Sequence, residues 1–264
     1  MPPTFAAPAR ALVRAVPHSY RECLREHPVA LDVPLARRQH AAYVTALFAA
    51  GVDVHVLPTD EAHPDCCFVE DTAVILDHDV LITIPGAPSR RGECTAVAAA
   101  LAPHCRVTRM TTGTLDGGDV LRVGRRLYVG LSARTDAAGV AELTRFAAPH
   151  DLEVRAIPLA TGLHLKSVVT LADPRTLVLQ AGSLDPAGFV ADDLAVIEVP
   201  EPVGANVLAL ADSVFVATAA PRTQALLRSH GLAVVPLDIG EFNKGDGAFT
   251  CLSLRIPRPG QWCA

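Results

Sequence analysis

The feature that most restricts the fold is a pair of short β-rich runs joined by a turn, which occurs four times along the chain. The four pairs are TAVILDHDVLIT (72–83), DVLRVGRRLYVG (119–130), SVVTLADPRTLVLQ (167–180) and NVLALADSVFVA (206–217). Val, Ile and Leu fill the runs, and Asp, Gly, Pro or Ser stand at the turns, as is typical of β-hairpins. Such a repeat predicts a fold built from copies of one unit.

A helical pattern follows three of the hairpins, and a further short strand follows all four. Apolar or small residues recur every three or four positions around Val97, Val140 and Leu226, which predicts helices after the first, second and fourth hairpins. The third hairpin has only LDPAGFVADD (184–193) in this place. The strands that follow are predicted at 106–110, 152–159, 194–200 and 232–239. The units therefore follow the order ββαβ, with the third one irregular because it lacks the helix.

The two ends of the chain carry the pieces of a fifth unit. A strand at 11–16, a helix over about 33–50 and a strand at 52–58 are predicted at the front, and a lone strand at 251–257 at the back. Pairing the terminal strands would remove an open sheet edge that invites aggregation. We predict an α/β fold, a closed five-bladed α/β propeller with pseudo-fivefold symmetry, in a single domain over residues 1–264. An ordinary open α/β sheet is the alternative.

Composition excludes several classes of protein. Half of the 264 residues are hydrophobic, which excludes disorder, and no apolar run is long enough to cross a bilayer. The first residues lack the pattern of a signal peptide, so we expect a soluble, cytoplasmic protein. A net charge of −5 with well-mixed signs argues against nucleic acid as a partner. The seven cysteines show no CxxC spacing, which argues against a disulfide framework and a structural zinc site.

One polar residue stands before, or at the start of, the inner strand of each unit. These residues are Asp71, Asp116, His164, Asn206 and Cys251, spaced 42 to 48 residues apart. Equivalent positions of successive units approach the axis of a ring. The spacing therefore predicts that two carboxylates, an imidazole, an amide and a thiol face one cavity.

Each of these residues, taken alone, also has a structural explanation. Cys251 could be a small buried apolar residue, His164 a hydrogen-bonded core histidine, and Asp116 a turn residue before two glycines. Together in one cavity they instead suit nucleophilic attack by the thiol, with the histidine carrying the proton and the carboxylate orienting it.

Further carboxylates indicate the charge of the ligand. Asp65, Glu70 and Asp71 lie within PDCCFVED (64–71), and Asp246 lies shortly before Cys251. Crowded negative charges are unfavourable unless a cation lies among them, and a planar guanidinium suits paired carboxylates best. A solvated acidic loop is the alternative explanation of this segment.

Six motifs carry a resemblance to a known family. They are LPTDEAHPDCCFVEDTAV (57–74), PGAPSRRGE (85–93), TLDGGDVL (114–121), YVGLSART (128–135), GLHLKS (162–167) and KGDGAFTCLSL (244–254). With these motifs, in this order, the sequence resembles the dimethylarginine dimethylaminohydrolases of the guanidino-group-modifying (pentein) superfamily over nearly all of its length.

The resemblance implies a role for each matching residue. Cys251 would be the nucleophile, His164 the general acid and base, and Asp116 the catalytic carboxylate. The pocket would be lined by Asp65, Phe68, Glu70 and Asp71, with Asp71 holding the guanidinium. Arg90 and Arg134 would bind the carboxylate of the amino acid, Tyr20 would lie in a lid loop, and the main chain at Gly245 would contact substrate.

The implied reaction converts dimethylarginine to citrulline and dimethylamine through a covalent cysteine-thiouronium intermediate. It requires no metal and no cofactor. We further expect that the nearby carboxylates keep Cys251 as a thiol in the empty enzyme and that an arriving cation helps to ionise it. The expected partner is a methylated arginine, with neither nucleic acid nor membrane, and a homodimer is left open.

Two other functions stay open at this point. The same scaffold could deiminate arginine or another guanidino compound. A resemblance to the arginine deiminases would imply a His-x-Asp triplet, whereas this chain has His164-Leu165-Lys166. A non-catalytic binding propeller is the other alternative. It would have no need of Cys251, His164 and Asp116 together.

Overall fold

The computed structural model describes residues 5, 7–160, 162–190, 194–258 and 261. The strands are β1 (Arg10–Arg14), β2 (Asp53–Leu57), β3 (Ala73–Leu76), β4 (Asp79–Ile82), β5 (Arg106–Arg109), β6 (Val120–Val123), β7 (Arg126–Leu131), β8 (Glu153–Pro158), β9 (Val169–Asp173), β10 (Thr176–Gln180), β11 (Ala195–Val199), β12 (Leu208–Leu210), β13 (Ser213–Ala217), β14 (Ala233–Leu237) and β15 (Leu254–Ile256).

The helices are α1 (Val33–Ala49), α2 (Glu93–Leu101), α3 (Ala137–Ala147), α4 (Leu165–Val168), α5 (Ala187–Val190), α6 (Pro221–Ser229) and α7 (Gly240–Asn243). Three of these, α4, α5 and α7, are single turns. In the described part of the chain, no helix combines the length and apolar character needed to cross a lipid bilayer.

The strands form five separate three-stranded sheets. In four of them an antiparallel hairpin is followed by a third strand parallel to its second strand, in the orders β3-β4-β5, β6-β7-β8, β9-β10-β11 and β12-β13-β14. A parallel neighbour needs a crossover connection, and the intervening helix supplies it. The four predicted ββαβ units are therefore confirmed.

The fifth sheet is assembled from both ends of the chain. β1 pairs antiparallel with β15, with Ala11 opposite Arg255, and parallel with β2, with Ala11 opposite Val54. The connection between β1 and β2 contains α1, which begins after Asp32, whose side chain accepts the backbone N–H of Leu35. This arrangement confirms the predicted fifth unit. The result is an α/β fold with five small sheets.

The irregular third unit is also as predicted. Only the single turn α5 lies between β10 and β11, and residues 191–193 of the predicted irregular stretch lie outside the described residues. The other units carry helices of nine residues or more between the second and third strands.

Short turns before the inner strands place the candidate site. One-turn 3₁₀ segments precede β3, β6 and β15, at Val69–Thr72, Gly117–Asp119 and Thr250–Leu252, and α4 precedes β9. These turns bend the chain directly before the strands that follow them. The polar residues that the spacing singled out therefore stand on compact, buried backbone rather than on long surface loops.

Candidate active site

His164 and Asp116 form a buried pair. Nε2 of His164 lies 2.9 Å from Oδ2 of Asp116, and the other oxygen of Asp116 accepts the backbone N–H of Gly86 at 2.9 Å. Both residues directly precede a one-turn helix that leads into an inner strand. The backbone thus fixes both partners, and the carboxylate favours the charged form of the imidazole.

Asp71 approaches the same imidazole from another sheet. Its Oδ1 lies 3.9 Å from Nε2 of His164 and accepts the backbone N–H of Gly118 at 2.9 Å. A Cβ atom on Gly118 would lie 2.9 Å from the imidazole ring, so this close approach requires glycine. Burial alone would lower the pKa of His164. The carboxylates of Asp71, Asp116 and Asp119 outweigh burial and raise that pKa to about 9.

Two cavities meet beside this pair. The first, here called the wide pocket, has a volume of about 300 Å³, within the range of sites for small ligands. Its walls include Glu26, Glu70, Gly118, His164, Lys166, Asn206, Asp246 and Cys251. The second, here called the lid pocket, measures about 20 Å³. It is lined by Leu24, Asp65, Phe68, Asp71, Arg90, Arg134, Leu163, His164, Gly245, Asp246, Gly247 and Cys251.

Cys251 lies where the two cavities meet, and His164 lines both with it. The cysteine is held in the Thr250–Leu252 turn and is partly exposed. Burial, followed by the charges of Glu70 and Asp71, raises the pKa of its thiol to about 12. These shifts favour a neutral thiol and a charged imidazole at neutral pH.

Asp71, Asp116 and His164 are also the described residues that could hold a metal ion, since one ligand atom of each lies within 4.8 Å of the others. A histidine must be neutral to bind a metal, however, and the two carboxylates favour the protonated, charged imidazole of His164. The same three groups therefore suit a proton and an organic cation better than a metal.

Arg90 is bound to protein groups at all three of its nitrogen positions. Its Nε and one terminal nitrogen donate to the two oxygens of Glu93, and the other terminal nitrogen donates to Asp71. It is 3% exposed. Burial alone would raise the pKa of Asp71, but the charges of His164 and Arg90 hold it below its usual value. Arg90 therefore lines the lid pocket but serves, in this state, to hold Asp71 as an anion.

Glu70 lines the wide pocket, yet both of its oxygens are occupied. Lys166 Nζ and an Arg255 nitrogen donate to Oε1, and the hydroxyl of Thr250 donates to Oε2 at 2.7 Å. A small cavity of about 90 Å³ lies beyond Glu70 and Lys166. The ion pair thus separates this cavity from the wide pocket. Glu70 is therefore placed at the floor of the pocket, as part of an ion cluster.

Arg134 is the more open of the two predicted arginines. It lines the lid pocket with 16% of its side chain exposed, and its nearest recorded carboxylate is Asp116, at 3.7 Å. Its guanidinium is only weakly engaged by the protein. An anionic group of a ligand could therefore bind here.

Asp65 and Asp246 fasten the segment that covers the lid pocket. Both oxygens of Asp65 accept the backbone N–H of Leu24, at 3.0 and 3.3 Å, and Asp246 accepts the backbone N–H of Glu26. Asp246 has a left-handed backbone, with φ of 57°, which costs energy in a residue other than glycine. Both predicted residues line the lid pocket, and both also hold this segment in place through hydrogen bonds to its backbone.

Tyr20 is not among the residues that line the two pockets, and its place in a lid loop stays a prediction from the resemblance. Its side chain is 0% exposed and its hydroxyl donates to the carbonyl of Glu241. Leu24, 40% exposed, lines the lid pocket instead. The 3₁₀ turn His18–Glu22 directs Tyr20 inward and leaves Leu24 to follow it at the surface.

Phe68 and Gly245 both line the lid pocket. The ring of Phe68 packs against Tyr20 and Phe242, with centroid distances of 5.9 and 6.2 Å. Gly245 must be small, because a Cβ atom there would lie 2.5 Å from the hydroxyl of Tyr20. These residues give the lid pocket an apolar side opposite its carboxylates.

The structure brings together every predicted site residue except Tyr20. It also adds residues that the sequence reasoning did not name as site components: Leu24, Glu93, Asp119, Lys166, Thr250 and Arg255. Four of them lie inside the quoted motifs: Glu93 in PGAPSRRGE, Asp119 in TLDGGDVL, Lys166 in GLHLKS and Thr250 in KGDGAFTCLSL. Nothing in the local pattern distinguishes Leu24.

Comparison with known proteins points to one family. Residues 26–257 match the family described as N,N dimethylarginine dimethylhydrolase, eukaryotic. A dimethylarginine dimethylaminohydrolase of Streptomyces coelicolor is 43% identical over 231 residues, which are 86% of this chain and 88% of the relative. The enzyme of that name from Pseudomonas aeruginosa is 33% identical over 254 residues, which are 94% of this chain and 96% of the relative.

A solved structure agrees with these relatives. The chain is similar, with a TM-score of 0.89 and 31% identity, to a cysteine-to-serine variant of the Pseudomonas aeruginosa enzyme complexed with citrulline. The similarity covers 96% of this chain and 99% of that one.

Proposed function

The chain belongs to the dimethylarginine dimethylaminohydrolase family and hydrolyses methylated L-arginine to L-citrulline, and we propose that Cys251, His164 and Asp116 carry the reaction. The observation that supports this assignment most is the convergence of the three residues. A thiol and an imidazole line the same two cavities, and a buried carboxylate lies 2.9 Å behind the imidazole. This is the constellation that nucleophilic catalysis requires.

The substrate cation binds next to the nucleophile. Asp71 is held as an anion, lines the lid pocket with Cys251 and is the carboxylate best placed to receive a guanidinium. Arg134, on the same cavity, receives the α-carboxylate of the amino acid. An anion and a cation on the walls of one pocket suit a zwitterionic amino acid with a cationic side chain.

Binding of the cation prepares the thiol. A positive charge beside Cys251 offsets the effect of Glu70 and Asp71, lowers the pKa of the thiol and lets its proton pass to solvent. His164 keeps its own proton meanwhile, because its carboxylate neighbours stabilise the imidazolium.

The reaction then proceeds in two halves. Sγ of Cys251 bonds to the guanidinium carbon, and the tetrahedral intermediate breaks its carbon–nitrogen bond as His164 gives a proton to the departing dimethylamine. The product is a covalent thiouronium. The neutral His164 then takes a proton from water, the hydroxide adds to the same carbon, and cleavage of the carbon–sulfur bond releases citrulline.

Several features of the whole molecule belong to the same proposal. The five sheets close into a five-bladed α/β propeller, which the pairing of β1 with β15 and the side-chain contacts between sheets support. Residues 1–264 form one catalytic domain that needs no cofactor. A cytoplasmic location, the lack of a nucleic-acid partner and the question of a homodimer stay predictions from the sequence.

A product assay tests the function. Purified protein is incubated separately with asymmetric dimethylarginine, monomethylarginine and arginine, and citrulline, methylated amines and ammonia are quantified. We expect citrulline with an equal amount of dimethylamine from the first substrate. Faster release of ammonia from arginine would replace the proposal with a deiminase, and no turnover of any guanidino substrate would favour a binding propeller.

A further inference from the structure

Asp119 is a fully buried carboxylate to which the mechanism above gives no chemical step. It ends the Gly117–Asp119 turn, three residues after Asp116, and is 0% exposed. Burying a charged group away from water is costly unless hydrogen bonds compensate. The surroundings of this side chain therefore need an explanation.

Three neutral donors surround the carboxylate. Its Oδ1 accepts the backbone N–H of Leu165 at 2.9 Å, and its Oδ2 accepts the hydroxyls of Ser132 and Thr135 at 2.7 and 2.6 Å. A Cβ atom on Gly130 would lie 2.7 Å from Oδ1, so glycine is required beside it. Burial is the largest influence on the pKa of Asp119, which is raised above its usual value.

Each donor is adjacent in the chain, or hydrogen-bonded, to a site residue. Leu165 directly follows His164 in the chain. The hydroxyl of Thr135, which donates to Asp119, accepts the backbone N–H of Asp116 at 3.1 Å. The hydroxyl of Ser132 accepts the backbone N–H of Arg134 at 3.0 Å. One carboxylate thus connects the backbone segments that carry His164, Asp116 and Arg134.

The charge of Asp119 also acts on His164. Asp71 and Asp116 contact the imidazole directly, and Asp119 is the third carboxylate that favours its protonated form. The other charged or titratable groups on the surrounding cavity walls are the acids Glu26, Asp65, Glu70 and Asp246, the cations Arg90, Arg134 and Lys166, and the thiol Cys251. Those groups would be the same in a variant that changes only Asp119.

We propose that Asp119 is a positioning residue, which aligns His164 with Asp116 and keeps the imidazole protonated for the departing amine. The alignment acts through Leu165 and Thr135, and the electrostatic effect acts through the buried charge. The proposal rests on the proposed function only where kcat and KM for dimethylarginine are interpreted. The effect on the imidazole can be measured without any substrate.

The first test replaces Asp119 with its isosteric amide. In Asp119→Asn the oxygen can still accept the N–H of Leu165, and the amide NH₂ can donate to the two hydroxyls. Loss of the negative charge should lower the midpoint of the His164 titration by about one pH unit, measured by NMR on ring-labelled free protein. The His164 signal is assigned by its absence in His164→Gln.

The kinetic readout separates positioning from general stability. Asp119→Asn should lower kcat for dimethylarginine by about 10- to 100-fold while changing KM little, since no substrate contact is lost. Asp173→Asn is the matched control, because Asp173 is also buried and accepts a backbone N–H, in the β9–β10 turn outside both pockets. The control should change neither kcat nor the titration.

Thr135→Val tests the alignment without removing the charge. It cuts the link between Asp119 and Asp116, so it should lower kcat and leave the titration of His164 nearly unchanged. If Asp119→Asn does not fold, this variant decides the matter, and an unchanged kcat overturns the proposal. A folded Asp119→Asn with an unshifted His164 titration also overturns it. A shifted titration in a protein inactive on methylarginines would uphold the proposal and reject the function.

Discussion

Nε2 of His164 lies 2.9 Å from Oδ2 of Asp116, and water has almost no access to either side chain. The two residues belong to successive repeat units and meet because each stands where its chain turns into an inner strand. The charge of Asp71, followed by the hydrogen bond to Asp116, outweighs burial and raises the pKa of His164 to about 9, which favours a protonated imidazole. That proton is what a poor leaving group such as dimethylamine requires.

Removing the charge of Asp116 should slow the chemical step. Asp116→Asn keeps the shape of the side chain but no longer stabilises the imidazolium, and kcat should fall by about 100- to 10,000-fold. Steady-state kinetics with dimethylarginine measure this change. Asp212→Asn, at an exposed hairpin turn, is the control and should leave kcat unchanged. A kcat within threefold of the unmodified protein would contradict the role of Asp116.

The thiol of Cys251 should ionise only with help from a bound cation. Because burial and two carboxylates raise its pKa to about 12, alkylation of Cys251 by iodoacetamide should be slow at pH 7 in the free protein and rise steeply only at higher pH. Adding methylguanidinium should shift the pH–rate curve to lower pH. Mass spectrometry of the peptide that contains Cys251 follows the reaction, with Cys105 as the internal control. Rapid alkylation at neutral pH without the cation would reject this scheme.

Arg134 and Arg90 should respond differently to truncation. Arg134→Ala removes a weakly engaged guanidinium and should raise KM for dimethylarginine by about 10- to 100-fold, with little loss of stability. Agmatine methylated on its guanidino group has no carboxylate, and its KM should change little. An equal rise in KM for both ligands would contradict carboxylate binding at Arg134.

Arg90→Ala, by contrast, should lower the free energy of unfolding. It leaves Asp71 and Glu93 buried without their cation, at a cost of about 3–5 kcal/mol. Urea denaturation measures the difference, with Arg134→Ala as the comparison. A loss below about 1 kcal/mol would show that Arg90 is not needed to hold the two carboxylates.

Tyr20 and Leu24 offer a direct test of which residue belongs to the lid. Tyr20→Phe loses one buried hydrogen bond, to the carbonyl of Glu241, and should cost about 1 kcal/mol of stability without changing KM. Leu24→Ala should raise KM and leave stability nearly unchanged, since Leu24 covers the cavity from the surface. A raised KM in Tyr20→Phe together with an unchanged KM in Leu24→Ala would instead assign Tyr20 to the lid.

The convergence of the polar residues could be predicted because it depends only on the repeat. Asp71, Asp116, His164, Asn206 and Cys251 occupy equivalent positions of five similar units, and equivalent positions meet near the centre whatever the details of packing. Strand pairing follows from hairpins and crossovers in the same way. The period of the sequence therefore predicts both the architecture and the location of the site.

The partners of the buried charges could not be predicted in this way. Lys166, Arg255 and Glu70 come from three different units and form one cluster, but the sequence does not specify which ion pairs form at the centre. The burial of Tyr20 could not be predicted for a different reason. It lies in an irregular stretch before α1 where no hydrophobic period constrains the register, and a single 3₁₀ turn decides which side chain points inward.

The joint between β1 and β15 has a consequence for biosynthesis. During translation the first strand leaves the ribosome long before its partner has been made, and the nucleophilic sulfur lies in the turn that immediately precedes this partner. A nascent chain can complete its other four sheets earlier. A chain that stops before β15 lacks both Cys251 and the fifth sheet, so the centre can form only after this last strand has been made.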